Sequence, residues 1–173
     1  PGVVAGGADG IASVMLYLLI YSLMNLGIFA TVIMMRNGNF SGEVIEDYSG
    51  FAKSRPGLAL LMLLYLFSLA GIPPTAGFFA KFYVLVALVE RGFVMLAVIA
   101  VLLSAVAAYF YIRIVMVIYM REPERTFDPA LTPLVRATLA FTAAGTIGIG
   151  LFPAWFLRLA QHSVLAADRL NLQ

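Results

Sequence analysis

The chain has 173 residues, of which 62% are apolar and only 12% charged, with a net charge of +2 and a mean hydropathy of +0.98. Soluble domains carry about twice that share of charge, so the composition excludes an ordinary soluble domain, and the weak, scattered basicity gives no support to nucleic-acid binding. With no cysteine and a single histidine, His162, this chain cannot by itself build a thiolate metal site, an iron–sulfur cluster or a disulfide.

A polytopic membrane protein remains. Charge-free windows run over 10–35, 57–80, 92–112 and 137–157, each near or above the ~20 residues that cross a ~30 Å hydrocarbon layer. No basic start followed by a short apolar run and a small-residue cleavage site opens the chain, so no signal peptide is expected. The missing initiator Met suggests a fragment of something longer.

The first span is expected over 11–35, stopped by Arg36-Asn37-Gly38-Asn39, where Gly and Asn favour a helix end. Within it Ser22 and Asn25 lie three apart; they either join an interior polar face or make helix-packing hydrogen bonds. The loop to Arg55 holds Glu43, Glu46, Asp47 and Lys53 and reads as a solvated connection.

Pro56 suits a first helical position, and the chain then runs apolar to Ala70. Pro73 and Pro74 remove two backbone donors and clash with the preceding turn, so a helix cannot pass straight through. The two pieces, 56–70 and 77–91, are each about 22 Å long, too short to cross separately, and one broken helix fits better than two complete ones. Backbone groups freed inside lipid must be paired with protein or cavity water. The interruption, with Pro73, Pro74, Thr75 and Gly77, is therefore expected to face the bundle interior, as in the interrupted helices where transporters place ion sites. A proline kink with a packing role only is the competing reading.

After the short turn Glu90-Arg91-Gly92, residues 93–120 form a long helix whose sole internal charge is Arg113. Arg121 is about 12 Å away along the axis, more than snorkelling covers, which leaves a local anchor and a functional cation as equal readings. Tyr109, Phe110, Tyr111 and Tyr119 fit packing and an interfacial aromatic belt. A polar loop over 121–132 follows, then a last span over 133–152 with Gly145, Gly148 and Gly150, small residues that permit close helix contact. Beyond Pro153, Trp155, Phe156, Arg158, Leu159 and His162 suggest an interfacial helix over about 154–169, with His162 at the surface.

The expected fold is therefore all-α: a polytopic membrane helix bundle of about four crossings, including one broken helix, plus a C-terminal interfacial helix, in a single membrane unit. Arg36, Lys53, Arg55, Arg121 and Arg125 fall on one side, and Arg91, Arg158 and Arg169 on the other. By the positive-inside rule, loops 36–55 and 121–132 face the cytoplasm and the C-terminus lies opposite.

Lys81 is the residue that points to function. No other charge lies between Gly57 and Val89, and Arg91 is about 15 Å further along the helix, half of a ~30 Å hydrocarbon layer. An ionisable group at that depth is a functional-site hypothesis by default. A lysine in a dry interior can accept and release a proton near neutral pH, whereas an arginine stays protonated. Thr75, the free carbonyls near 69–71 and internal water are candidates for stabilising its ammonium form. A snorkelling anchor is the alternative, disfavoured by the distance to either end.

Three stretches carry a resemblance: Tyr21-Ser22-Leu23-Met24-Asn25-Leu26-Gly27-Ile28-Phe29, then 68–83 with its Gly71-Ile72-Pro73-Pro74 break followed by Gly77-Phe78 and Lys81-Phe82-Tyr83, then Ala108-Tyr109-Phe110-Tyr111-Ile112-Arg113. In order and over nearly the whole chain, they resemble the antiporter-like subunit N family of proton-pumping NADH:quinone oxidoreductase, respiratory complex I. The resemblance implies the last four helices of a fourteen-helix subunit built from two inverted repeats, with Lys81 as the proton-transfer lysine of the second repeat. The family's first-repeat glutamate and lysines match nothing here. It further implies a bacterial inner-membrane setting with a periplasmic C-terminus, partnership with other membrane-arm subunits, lipid and internal waters, and no cofactor in this chain, with NADH, FMN, iron–sulfur clusters and quinone held by partner subunits. Multisubunit cation/proton antiporters have a similar broken helix but tend to carry glutamate at the position of Lys81 or acidic residues just after the lysine, so Phe82-Tyr83 favours subunit N. A cation/proton antiporter subunit and a purely structural membrane scaffold are the alternatives.

Overall fold

The computed structural model describes residues 7–35, 44–123 and 132–171, with side chains over 10–34, 44–123 and 132–162. The stop at 36–39 and the charged stretch 124–131 lie outside the described residues. Among the described residues seven α-helices follow one another: α1 Gly7–Met35, α2 Phe51–Ser54, α3 Pro56–Ala70, α4 Ala76–Glu90, α5 Val94–Met120, α6 Pro133–Leu151 and α7 Pro153–Asn171, with a 3-10 turn at Ile45–Tyr48 before α2. No strand occurs among the described residues. α1, α5 and α6 are long and apolar enough to cross a membrane, and α3 is a shorter apolar helix. This is a multi-pass membrane helix bundle.

α1 is the axis of the bundle, packed by α3, α4, α6 and α7. Its Leu16, Ile20, Leu23 and Met24 join Leu69 of α3, Ala76 and Ala80 of α4 and Ile149 of α6 in one buried cluster. Small residues set the approach distances. A Cβ on Gly27 would collide with the ring of Tyr65, one on Gly145 would meet Leu23, and one on Gly150 would come within 3.0 Å of the Ala76 nitrogen and 3.2 Å of the Pro74 oxygen. Gly148 faces open space.

Tyr65, fully buried, ties α3 to α6. Its hydroxyl lies 3.2 Å from the Leu139 carbonyl and 2.8 Å from the Thr142 hydroxyl, which also reaches the Thr138 carbonyl at 2.8 Å. The tyrosine thereby meets the rule that a buried hydroxyl must find a partner.

The segment before α3 clamps the far end of α5. Tyr48 and Phe51 bury themselves with Met62, Leu66, Val117 and Ile118. The Gly50 N–H donates to the Val117 carbonyl at 3.3 Å, and Lys53 pairs with Glu122 at 2.6 Å. Burial, with Asp47 beside it, pushes the Tyr48 phenol up to about 12, so this side chain is neutral in the clamp at physiological pH. The two polar connections around 44–55 and 121–123 thus lie on one side of the bundle.

α5 is packed on one flank only. Met95, Leu102, Val106, Tyr109 and Phe110 stand exposed, an apolar surface that requires lipid or another protein surface rather than water. α7 lays Phe156 and Leu157 against the α1 cluster and leaves Trp155, Arg158, Leu159 and His162 exposed.

Candidate functional site

The site is built from the interruption between α3 and α4. Gly71 takes φ +83°, a left-handed conformation suited to glycine. Its N–H bonds the Phe67 and Ser68 carbonyls at 3.0 and 3.1 Å, and the Ile72 N–H bonds the Phe67 carbonyl at 3.0 Å. This is a Schellman closure, which satisfies the carbonyls two and three positions inside the helix end. The final carbonyls, Leu69 and Ala70, are left over.

Lys81 takes both of them. Its Nζ donates to the Leu69 oxygen at 2.9 Å and to the Ala70 oxygen at 3.3 Å. Helical side chains lean back toward their own N-terminus, so a lysine in the second turn of α4 can reach the end of α3. The negative end of the α3 dipole favours a cation there. No ion pair to Lys81 occurs among the described residues; neutral carbonyl oxygens hold the ammonium.

The start of α4 is fixed by the same overlap. The Gly77 N–H donates to Ser68 Oγ at 2.9 Å, and a Cβ on Gly77 would collide with the Ser68 carbonyl. The ends of the two helices therefore lie side by side. The Pro73–Pro74 peptide bond is cis, and both prolines are exposed in the turn. Thr75 precedes α4 without capping it; its hydroxyl donates to the Ile72 carbonyl at 2.7 Å, away from Lys81.

A cavity of about 290 Å³ opens beside Lys81, with Tyr17, Tyr21, Ser68, Ser104 and Tyr111 as its other polar lining residues. Tyr21 stands at the middle of α1, and Ala107, which also lines the cavity, at the middle of α5. Lys81 is thus level with the mid-length of the two longest helices.

The structure gathers Pro73, Pro74, Thr75, Gly77 and Lys81 at the break and leaves the other expected site residues apart. Ser22 is exposed and Asn25 half-buried, with the Asn25 amide bonded to the Tyr21 carbonyl at 2.7 Å; neither lines the cavity. Arg113 is exposed beside Met116, Met120 and Arg121, in a separate groove near the end of α5. Sequence reasoning missed Ser68, Ser104 and the pair Tyr17 and Tyr21 as cavity lining; Tyr111, read as packing, does pack against two buried clusters and lines the cavity as well. The available signal was hydroxyl side chains at i, i+4 and i, i+7 spacing within charge-free spans. Among the described residues, no group of three His, Cys, Asp or Glu side chains comes together to hold a metal.

Residues 2–107 match the family described as NADH:quinone oxidoreductase/Mrp antiporter, TM. The chain is 90% identical to "NADH-quinone oxidoreductase subunit N 2" of Rhizobium meliloti (strain 1021), over 94% of this chain and 34% of that protein. It is 45% identical to the protein of the same name from Solibacter usitatus (strain Ellin6076), over 94% and 33%. A chain of respiratory complex I from Thermus thermophilus with bound aureothin superposes with a TM-score of 0.71 at 27% identity, over 87% of this chain and 35% of that one. A chain of the Mrp complex from Dietzia sp. DQ12-45-1b, 22% identical, shares the fold with a TM-score of 0.74 over 94% and 39%. The chain spans about a third of the length of the curated relatives it matches. Since the match runs through α1, the α3–α4 break, Lys81 and half of α5, the chain belongs to the NADH:quinone oxidoreductase/Mrp antiporter transmembrane family.

Proposed function

We propose that this chain is part of a membrane-arm subunit of a proton-pumping NADH:quinone oxidoreductase, in which Lys81 takes up and releases a proton during transport. One observation carries the reading: an ammonium level with the middle of α1 and α5, held by the carbonyls of a helix break beside a cavity. Carbonyl oxygens stabilise the charged form without locking it into an ion pair, so a change of potential from a neighbouring subunit can shift the proton equilibrium. One pKa unit corresponds to about 1.4 kcal/mol, within the range of coupling energies between sites. The names of the relatives support a subunit N role; the proposal adds a bacterial inner membrane, with redox groups and NADH and quinone sites in partner subunits. The two polar connections then face the cytoplasm and the C-terminus the periplasm. Arg113, which does not line the cavity, serves as a local anchor.

The experiment is a pair of substitutions in the full-length protein within its complex. Lys81→Ala lowers protons pumped per NADH oxidised severalfold while the complex still assembles. Lys81→Arg keeps a cation and its donors but cannot release the proton at accessible pH, and it also fails to pump. Full pumping in Lys81→Arg would reduce the lysine to a structural cap of α3, and full pumping in Lys81→Ala would remove it from the mechanism. Ion-gradient-driven transport without NADH or quinone would instead favour a cation/proton antiporter subunit.

A further inference from the structure

A second cavity, of about 320 Å³, lies along the far end of α5 and is lined by Tyr109, Arg113, Met116, Val117, Met120 and Arg121. Their spacing, i, i+4, i+7, i+8, i+11 and i+12, traces one stripe of the helix. Val117 is buried in the clamp with Tyr48 and Phe51, and the other five are exposed. The groove is thus held from behind and open in front. The Arg113 and Arg121 side chains have no hydrogen-bond or ion-pair partner among the described residues. Glu122, next in sequence, pairs with Lys53 at 2.6 Å, so those two charges cancel and the two arginines stay uncompensated. Like charges in one groove repel, and an anion between them removes that cost.

We infer that this groove binds an anionic phospholipid, with its phosphate between Arg113 and Arg121 and an acyl chain along the exposed flank of α5. Arg113 stands about 12 Å along the axis from Arg121, deeper than snorkelling alone spans, and an arginine at such depth draws headgroups toward itself. The phosphodiester is the anion that the membrane supplies, and a guanidinium fork matches its oxygens. The groove has about ten times the ~30 Å³ share of a liquid water, room for a phosphodiester and its glycerol carbons. Past the charges the stripe continues through Tyr109, Val106 and Leu102, all exposed. Arg113 to Leu102 measures about 16 Å, half of a ~30 Å hydrocarbon layer, which is the reach of one leaflet's acyl chain. Charge confined to the helix end above an apolar stripe of that length fits a lipid better than an acidic protein segment. The inference is independent of Lys81, and it gives the Arg113 anchor its counter-ion.

The test uses the full-length protein within its complex, reconstituted in phosphatidylcholine vesicles with a trace of phosphatidylglycerol that carries a photoactivatable diazirine in one acyl chain. Illumination is expected to label α5 between Leu102 and Met116, mapped by mass spectrometry of its peptides, and unlabelled phosphatidylglycerol is expected to suppress that label. Arg113→Gln and Arg121→Gln should each weaken labelling about fivefold, the factor for about 1 kcal/mol per basic residue at an anionic surface, and the double variant should weaken it further. Arg113→Lys, which keeps the charge and loses the fork, should fall between Arg113→Gln and the unaltered protein. Arg91→Gln, at the other end of α5, should leave labelling unchanged. Equal labelling by a phosphatidylcholine probe, or labelling that survives the double substitution, would show unselective annular lipid and overturn the inference. Suppression by millimolar inorganic phosphate would overturn it in favour of a site for the free ion. A benzophenone side chain introduced at the exposed Met120 that crosslinks to a neighbouring subunit, and not to lipid, would overturn it in favour of a protein segment.

Discussion

Gly27 and Tyr65 show how a single hydrogen atom can decide a helix contact. The Tyr65 ring fills the space where a Cβ on Gly27 would stand, and its hydroxyl is held by Leu139 and Thr142 on the other side. The ring cannot retreat without giving up those bonds. Gly27→Ala is therefore expected to destabilise the protein by about 1–3 kcal/mol, the range for overpacking a filled core. In a Tyr65→Leu background, where the ring is gone, the same change should cost less, giving a coupling energy between neighbours. Thermal unfolding of the four proteins of this cycle in detergent measures it; additive effects would mean that the two residues do not press on each other.

At the scale of the element, the break between α3 and α4 was legible as a break, and the free carbonyls near 69–71 as candidate partners of Lys81, which Leu69 and Ala70 are; the overlap of the two helix ends was not. Pro73 and Pro74 forbid a continuous helix by chemistry that acts within one turn, so local sequence suffices. That the Leu69 and Ala70 carbonyls await Lys81, rather than Thr75, depends on Gly71 closing the two carbonyls before them and on α4 folding back beside α3. The overlap brings Ser68 to Gly77 and Lys81 to Leu69, pairings that no periodicity encodes. The cavity hydroxyls were harder still, because Tyr17 of α1 and Tyr111 of α5 come to one cavity only through α3 and α4, against which both helices pack, and Ser22 and Asn25, although polar and suitably spaced, do not line it. Gly77→Ala tests the overlap: its Cβ would strike the Ser68 carbonyl, and α4 must slide off α3. We expect a loss of about 1–3 kcal/mol and reduced pumping through the displaced Lys81. Gly148→Ala, whose Cβ enters open space, should leave both unchanged. Thermal stability and proton pumping of the two variants, side by side, check this; a silent Gly77→Ala would mean that the helix ends do not overlap.

At the scale of the whole molecule, sidedness follows from which chain segments meet. Lys53 pairs with Glu122, and the Gly50 N–H reaches the Val117 carbonyl, so the connection after α1 and the end of α5 share one side. The turn at Arg91–Gly92 joins α4 to the opposite end of α5. Under the proposed function the positive-inside bias makes the side with Lys53, Arg55 and Arg121, against Arg91 alone at these connections, the expected cytoplasmic one. The broken helix counts as one crossing in this scheme, because α3 and α4, 15 residues each, reach only about 22 Å apiece. Two complete crossings would return the chain to its starting side at Arg91. Single cysteines at the exposed positions Glu46 and Arg91 separate these arrangements. In cells, a membrane-impermeant maleimide is expected to label Arg91→Cys from the periplasm and to leave Glu46→Cys untouched until the membrane is opened. Labelling of both from one face would make α3 and α4 two separate crossings, and labelling of Glu46→Cys alone would invert the orientation.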